Sequence, residues 1–281
     1  MPTLTNQVFH RNHKKPLVWD AYFNQTNIKK PLVVFCHGYK GFKDWGCWHL
    51  VAKAFQEANL FFVKFNFSHN GGTIENPIDF PDLEAFAENN YSKELDDLND
   101  LLHALHSEEN PHKNDLNLQD ITLIGHSRGG GIATIYAAEN RCVNKLITWA
   151  SVSDFGKRTA TTGDLEAWKK TGVKYVLNGR TKQQMPHNYQ FYEDFKANET
   201  RLNLERAAKT IGIPHLIIHG TADLSVPFKE AEALHTWNPK SILLPIKNAN
   251  HVFNAAHPWE TENLPTALQQ VVRASIAFSR S

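Results

Sequence analysis

Gly125-His126-Ser127-Arg128-Gly129 is the stretch on which the reading of this chain turns. Ahead of it runs Asp120-Ile121-Thr122-Leu123-Ile124, a short β-branched apolar segment that predicts a buried strand. Behind it, Gly130-Gly131-Ile132-Ala133-Thr134-Ile135-Tyr136-Ala137-Ala138-Glu139 is small and apolar enough to pack closely as a buried helix. A strand that enters a helix through so sharp a turn holds the central serine in a strained backbone conformation. Glycines at 125 and 129 leave room for strand and helix to cross. The consequence is chemical: the Ser127 hydroxyl is expected above the sheet, at the positive end of the helix.

A serine hydroxyl is a poor nucleophile at neutral pH. It needs a base, a carboxylate to hold the base, and donors for a developing oxyanion. Downstream, Pro214-His215-Leu216-Ile217-Ile218-His219-Gly220 predicts another buried strand and runs into Thr221-Ala222-Asp223-Leu224-Ser225-Val226-Pro227. Ser241-Ile242-Leu243-Leu244-Pro245-Ile246 predicts a last strand, followed by Asn248-Ala249-Asn250-His251-Val252-Phe253. With its strand-flanked G-x-S-x-G and this order of segments, the chain resembles the α/β-hydrolase family, in which nucleophile, acid and histidine follow in that sequence. His219 to Pro227 looks like the family's acid loop, H-G-x-x-D-x-x-V-P, and residues 248–253 resemble its histidine loop. The resemblance therefore implies Ser127 as nucleophile, Asp223 as acid and His251 as base.

Each of the last two has a rival. Asp154 follows the predicted strand Lys145-Leu146-Ile147-Thr148-Trp149-Ala150, a position some family members use for the acid, but only Asp223 has the full acid-loop context. Among 15 histidines, His257 lies a little beyond His251. His126 adjoins the nucleophile, yet neighbouring side chains at a sharp turn point apart, so packing beneath the turn is expected of it. Upstream, the strand Lys30-Pro31-Leu32-Val33-Val34-Phe35-Cys36 leads into His37-Gly38-Tyr39-Lys40-Gly41. The resemblance implies an oxyanion hole made by the backbone N–H groups of Tyr39 and Arg128, leaving both side chains free to shape a pocket.

The 281 residues are 41% hydrophobic and carry a formal net charge of +1, so a large core is possible and nothing favours nucleic acid or an anionic membrane as partner. Basic residues at 10–15 predict a solvated turn. Three cysteines lack metal spacing, and Cys36 and Cys142 read as buried thiols. With no apolar signal region in Met1-Pro2-Thr3-Leu4-Thr5-Asn6 and no run long enough to span a bilayer, a cytoplasmic enzyme is expected. No metal or nucleotide motif is present, and the chemistry proposed for Ser127 needs no cofactor.

Strand and helix alternate throughout, predicting an α/β-hydrolase fold: a mainly parallel sheet with helices on both faces, as one domain over residues 1–281. Pro16–Phe23 predicts an antiparallel N-terminal strand paired near Gln7–Phe9. A helix over residues 92–106 carries an inner stripe of Leu95, Leu98, Leu102 and Leu105, with Asp96, Asp97 and Asp100 on its outer arc. The link at about 153–210 is too long for a simple crossover. It predicts a cap or lid insertion with helices at 164–170 and 198–209 and a turn at Asn178-Gly179-Arg180. Its aromatics either line a pocket or anchor the insertion; Trp168 and Tyr189, with Phe42, are the pocket candidates. The expected activity is hydrolysis of a small carboxylic ester through an acyl-enzyme. A peptidase or thioesterase is the alternative in the same chemistry, and a ligand-binding member of the fold that has lost catalysis is the alternative outside it.

Overall fold

Both faces of the central sheet are apolar, and that decides the layering. The computed structural model describes residues 3–26 and 28–281, so Met1 and Pro2 of the N-terminal reading lie outside the described residues. The first half of the chain runs β1 (Thr3–Arg11), β2 (Lys14–Tyr22), β3 (Lys30–Cys36), α1 (Trp48–Glu57), β4 (Phe61–Asn66), α2 (Leu83–Ala87), α3 (Tyr91–His106), β5 (Leu116–His126) and α4 (Arg128–Glu139). The second half runs β6 (Lys145–Trp149), α5 (Leu165–Thr171), β7 (Val173–Leu177), β8 (Gln184–Asn188), α6 (Gln190–Ala197), α7 (Leu204–Thr210), β9 (His215–Gly220), α8 (Lys229–Trp237), β10 (Ile242–Ile246) and α9 (Thr266–Ser279).

Eight strands form one sheet in the order β1-β2-β4-β3-β5-β6-β9-β10. β2 is antiparallel to both neighbours, with Val8 opposite Val18 as the N-terminal pairing predicts. From β4 to β10 every pair is parallel. Parallel neighbours need crossovers, which place helices on both faces and bury the strands twice over. β3 records this directly. Leu32, Val34 and Cys36 enter a core shared with α3, α4 and α7, while Val33 and Phe35 enter another shared with α1 and α9.

The chain leaves β3 toward β4 and returns to β5 on the other side, so the loops after β3 and β5 diverge at a topological switch point. Cys36 pairs with Gly125 in register, which brings the His37–Gly41 loop against the serine turn. Behind that loop, Lys43 and Asp44 join Asp20 of β2 and Lys64 of β4 in a buried charge cluster. Lys43 Nζ lies 2.8 Å and Lys64 Nζ 2.5 Å from the Asp20 carboxylate, and Asp44 also pairs with both lysines.

Several expectations need correction. The insertion helix predicted at 198–209 divides: Asn198 ends α6, and α7 starts only after Asn203, whose side chain caps it through the Arg206 N–H at 2.8 Å. α7 packs on α4 and α8 and belongs to the body rather than to the insertion's own fold. The predicted turn at 178–180 joins β7 to β8 in a hairpin that the sequence reading did not contain. Asp97 is not on the solvated arc of α3. It is buried, accepting from Ser68 N–H at 2.7 Å and pairing with Arg11 at 2.7 Å, while Arg11 also reaches Asp100. The basic segment at 10–15 is therefore a hairpin tip pinned to α3 by ion pairs. Cys142 is only partly buried, whereas Cys36 and Cys47 are buried.

Candidate active site

Ser127 stands between β5 and α4 with φ 57° and ψ −120°, the strained turn expected of it. The glycines beside it are demanded by space. A Cβ at Gly125 would sit 2.3 Å from the Gly129 carbonyl oxygen, and one at Gly129 would sit 2.4 Å from the carbonyl oxygens of Cys36 and His37. The backbone N–H of Ser127 donates to Trp149 at 2.9 Å, tying the turn to β6.

The structure brings Ser127, His251 and Asp223 together. His251 Nε2 is 3.0 Å from Ser127 Oγ, and His251 Nδ1 is 2.7 Å from Asp223 Oδ2. Asp223 is fixed by the N–H groups of Ser225 at 2.8 Å and Val226 at 2.9 Å on its other oxygen. Buried His219 adds a further donor: its Nε2 lies 2.8 Å from the Val226 carbonyl and 3.3 Å from Asp223 Oδ2, so the proton is on that nitrogen. Burial raises the Asp223 carboxyl, but hydrogen bonds from His219 and His251 outweigh it and hold the group well below the usual carboxylate range. Asp223 is thus an anion placed to select the Nδ1–H tautomer of His251, leaving Nε2 free to accept from Ser127.

The rivals are elsewhere. Asp154 accepts from Gly156 N–H and pairs with Lys157, half exposed to solvent. His257 accepts from Gly46 N–H at 2.7 Å and stacks on Trp45. His126 does more than pack. Burial pushes its ring down to about 3, and as a neutral donor it binds the His251 carbonyl at 2.9 Å, which braces the His251 backbone.

His37 is a residue the sequence reading passed over. Its Nε2 accepts from Phe67 N–H at 3.2 Å, which puts the proton on Nδ1, and Nδ1 donates to the Gly38 carbonyl at 2.9 Å. Gly41 N–H binds the same carbonyl at 3.0 Å. A trans peptide points its C=O and N–H in opposite directions, so anchoring the Gly38 carbonyl aims the Tyr39 N–H the other way. Among the described residues no protein acceptor takes the N–H of Tyr39 or of Arg128. Gly38 is required at this approach, because a Cβ there would lie 2.8 Å from the Cβ of Ser127.

A cavity of about 280 Å³ opens over these groups, lined by Tyr39, Ser127, Arg128, Val152, Arg158, Thr159, Ala160, Ser225, Val226 and His251. A larger cleft of about 540 Å³ shares only Arg158 with it and holds none of the three aligned residues. The aromatic candidates do not line the cavity. Trp168 is buried inside the insertion, donating to the His187 carbonyl at 2.8 Å with Tyr189 edge-on against it. Phe42 is buried in a small cluster with Phe80, Phe86 and Met185. Each of these rings found apolar neighbours nearer than the cavity, which is the anchoring role. Residues 39 and 128 line the cavity, and each side chain is tied at one end. Tyr39 Oη meets His187 Nε2 at 3.1 Å, and buried Arg128 pairs with buried Glu94 at 3.1 Å while lying over the Tyr39 ring. Glu94 had a signal: it shares the helical stripe of Leu98, Leu101 and Leu105, where a carboxylate demands a partner.

Comparison with known proteins agrees with this architecture. A family model described as alpha/beta hydrolase fold matches residues 31–183. The fold is similar to that of Est1E from Butyrivibrio proteoclasticus with bound ferulic acid, at 18% identity and TM-score 0.72, covering 94% of each chain. It is also similar to the alpha/beta hydrolase GrgF from Penicillium sp. sh18, at 14% identity and TM-score 0.74 over 100% of this chain and 98% of that one. The alpha/beta hydrolase domain-containing protein 10 from mouse is similar at 16% identity and TM-score 0.70, covering 97% of each chain. Comparison with functionally curated proteins returns no match. Strained serine turn, switch-point placement and matched family model lead to one conclusion: the chain belongs to the α/β-hydrolase fold family.

Proposed function

We propose that this protein is a serine hydrolase that cleaves a carboxylic ester through an acyl-enzyme. The observation that carries the reading is the unbroken hydrogen-bonded line from Asp223 through His251 to Ser127. In this mechanism Ser127 Oγ attacks the acyl carbon as its proton passes to His251 Nε2. The carbonyl oxygen gains the negative charge and is held by the N–H groups of Tyr39 and Arg128. Asp223 stabilises the imidazolium, which then protonates the departing alcohol. Water gives its proton to His251, attacks the acyl-serine and releases the acid, returning the proton to Ser127. The insertion before α7, residues 153–203, acts as a cap, contributing Arg158, Thr159 and Ala160 to the cavity wall.

The departing alkoxide of an ester takes its one proton from His251 Nε2. Est1E, which has a similar fold, carries ferulic acid in its solved structure; esters of aromatic acids are accordingly among the substrates to try. A fluorophosphonate probe is expected to label Ser127 alone, and Ser127→Ala to abolish both labelling and turnover of an activated ester while its circular dichroism stays native. Labelling at a different serine, or turnover surviving in Ser127→Ala, would overturn the proposal.

A further inference from the structure

The cavity over Ser127 has an uneven distribution of charge. Among the described residues two arginines line it and no aspartate or glutamate does. Each arginine has its carboxylate partner outside the lining: Glu94 for Arg128, Glu230 for Arg158. Glu94 borders neither this cavity nor the larger cleft, whereas Glu230 and Arg158 both border the larger cleft, so Arg158 stands between the two.

The donors are also not used up. Arg128 gives Nη1 to Glu94, and its other N–H groups have no protein acceptor among the described residues. Arg128 is only 7% exposed and lines the cavity, yet none of its nitrogens is both sealed from solvent and unpartnered, so its remaining donors keep some exposure. Arg158 gives Nε to the Asp154 carbonyl at 3.1 Å and Nη2 to Glu230, which leaves Nη1 over. Stacking on Tyr39 at 4.4 Å, with Tyr91 and Phe191 beyond, holds the Arg128 plane still. A guanidinium fork held in place matches the planar, two-oxygen geometry of a carboxylate, and Arg158 lines the same cavity.

We infer that the cavity selects an ester bearing a carboxylate a few bonds from the scissile carbonyl, with Arg128 and Arg158 as the residues that bind it. This rests on the serine-hydrolase reading and adds the substrate class to it. Because each arginine is already neutralised by a partner, selectivity comes from charge-assisted hydrogen bonds within a sheltered cavity, not from a long-range field. It should therefore survive salt that screens surface charges, about 0.5 M.

The test compares carboxylates with their neutral amide isosteres. On the acyl side these are monoethyl succinate and monoethyl glutarate against ethyl succinamate and ethyl glutaramate. On the alcohol side it is O-acetylglycolate against O-acetylglycolamide. The full chain is expected to favour the carboxylate by about tenfold or more in kcat/KM in at least one series, since a site built to hydrogen-bond a group rejects analogues that lack it. Arg158→Gln combined with Glu230→Gln, which removes the ion pair whole, is expected to cut that ratio about tenfold. Arg128→Gln with Glu94→Gln, which keeps the residue 128 backbone N–H, should do the same. A ratio of one or less in both series overturns the inference, and so does a ratio untouched by either double variant. Fluorophosphonate labelling of Ser127 is read in parallel: labelling with no carboxylate preference sinks this inference alone, and absent labelling sinks the serine reading beneath it.

Discussion

Asp223 accepts from two backbone amides and two imidazoles, and no partner of that carboxylate can be exchanged without consequence. Asp223→Asn places an amide where His251 Nδ1–H needs an acceptor, favouring the tautomer whose Nε2 is protonated and cannot accept from Ser127. A loss of about 10⁴ in kcat is expected, the size seen when triads of this kind lose their carboxylate. Asp154→Asn, at a half-exposed position bonded only to its own turn and to Lys157, should change kcat little. Steady-state kinetics on one activated ester decides between them. If the Asp154 variant is the more damaged, the acid has been misassigned.

At the scale of elements, the insertion reaches the surroundings of Ser127 through two routes of different character. Its first loop supplies Arg158, Thr159 and Ala160 to the cavity wall. Its hairpin supports the His37–Gly41 loop from outside: His187 of β8 meets Tyr39 Oη, and Lys40 Nζ donates to the Leu177 carbonyl of β7 at 3.1 Å. Trp168 holds this hairpin by its indole N–H and by packing against Tyr189 and Tyr192. Removing it empties a buried site and orphans the His187 carbonyl. Trp168→Ala is expected to cost about 3–5 kcal/mol of stability, the usual range for a large buried aromatic. The ranking of large against small esters should stay as in the wild type. Denaturant unfolding measures the first effect and a graded ester panel the second. A re-ordered panel with unchanged stability would return Trp168 to the pocket.

At the scale of the whole molecule, buried neutral histidines make acid the vulnerable direction. Burial lowers His37 to about 4 and His126, His187 and His215 to about 3. Unfolding returns each ring to an ordinary value near 6.5, so below that pH the unfolded chain binds more protons than the folded one. Their contribution is complete above about pH 6.5 and is lost as pH falls toward the folded values, at up to about 1.4 kcal/mol per pH unit for each ring. Asp97 works in the opposite sense: burial, resisted by Arg11, raises it to about 6, so its protonation favours the folded state between about pH 6 and 4. Burial also raises Glu94, in the same sense as Asp97, and lowers His69 to about 4, in the sense of the other rings, so five rings outweigh two carboxyls. Thermal melts are expected to show Tm falling steadily from pH 7 to 5, and a flat Tm over that interval would contradict this account.

The turns at Ser127, Asp223 and His251 were legible in the sequence because each lies at the end of an apolar strand, where local pattern and special residues coincide. Gly125, Ser127 and Gly129 declare a turn by their own steric demands, and the order of the three loops along the chain fixes which strand ends can meet. The parallel sheet followed from alternation of element types for the same local reason. Other features were set by tertiary packing. Arg128 and Glu94 are far apart in sequence and become a pair only when α3 lies beside α4. Asp97 turned inward because Arg11 and the Ser68 amide reach it there. Trp168 and Tyr189 sit in polar sequence but are covered by one another, since an aromatic ring is buried by its neighbours in space and not by its neighbours in the chain. Local pattern determined where the chain turns and which hydroxyl it presents; which charges and rings surround that hydroxyl was decided by contacts between distant segments.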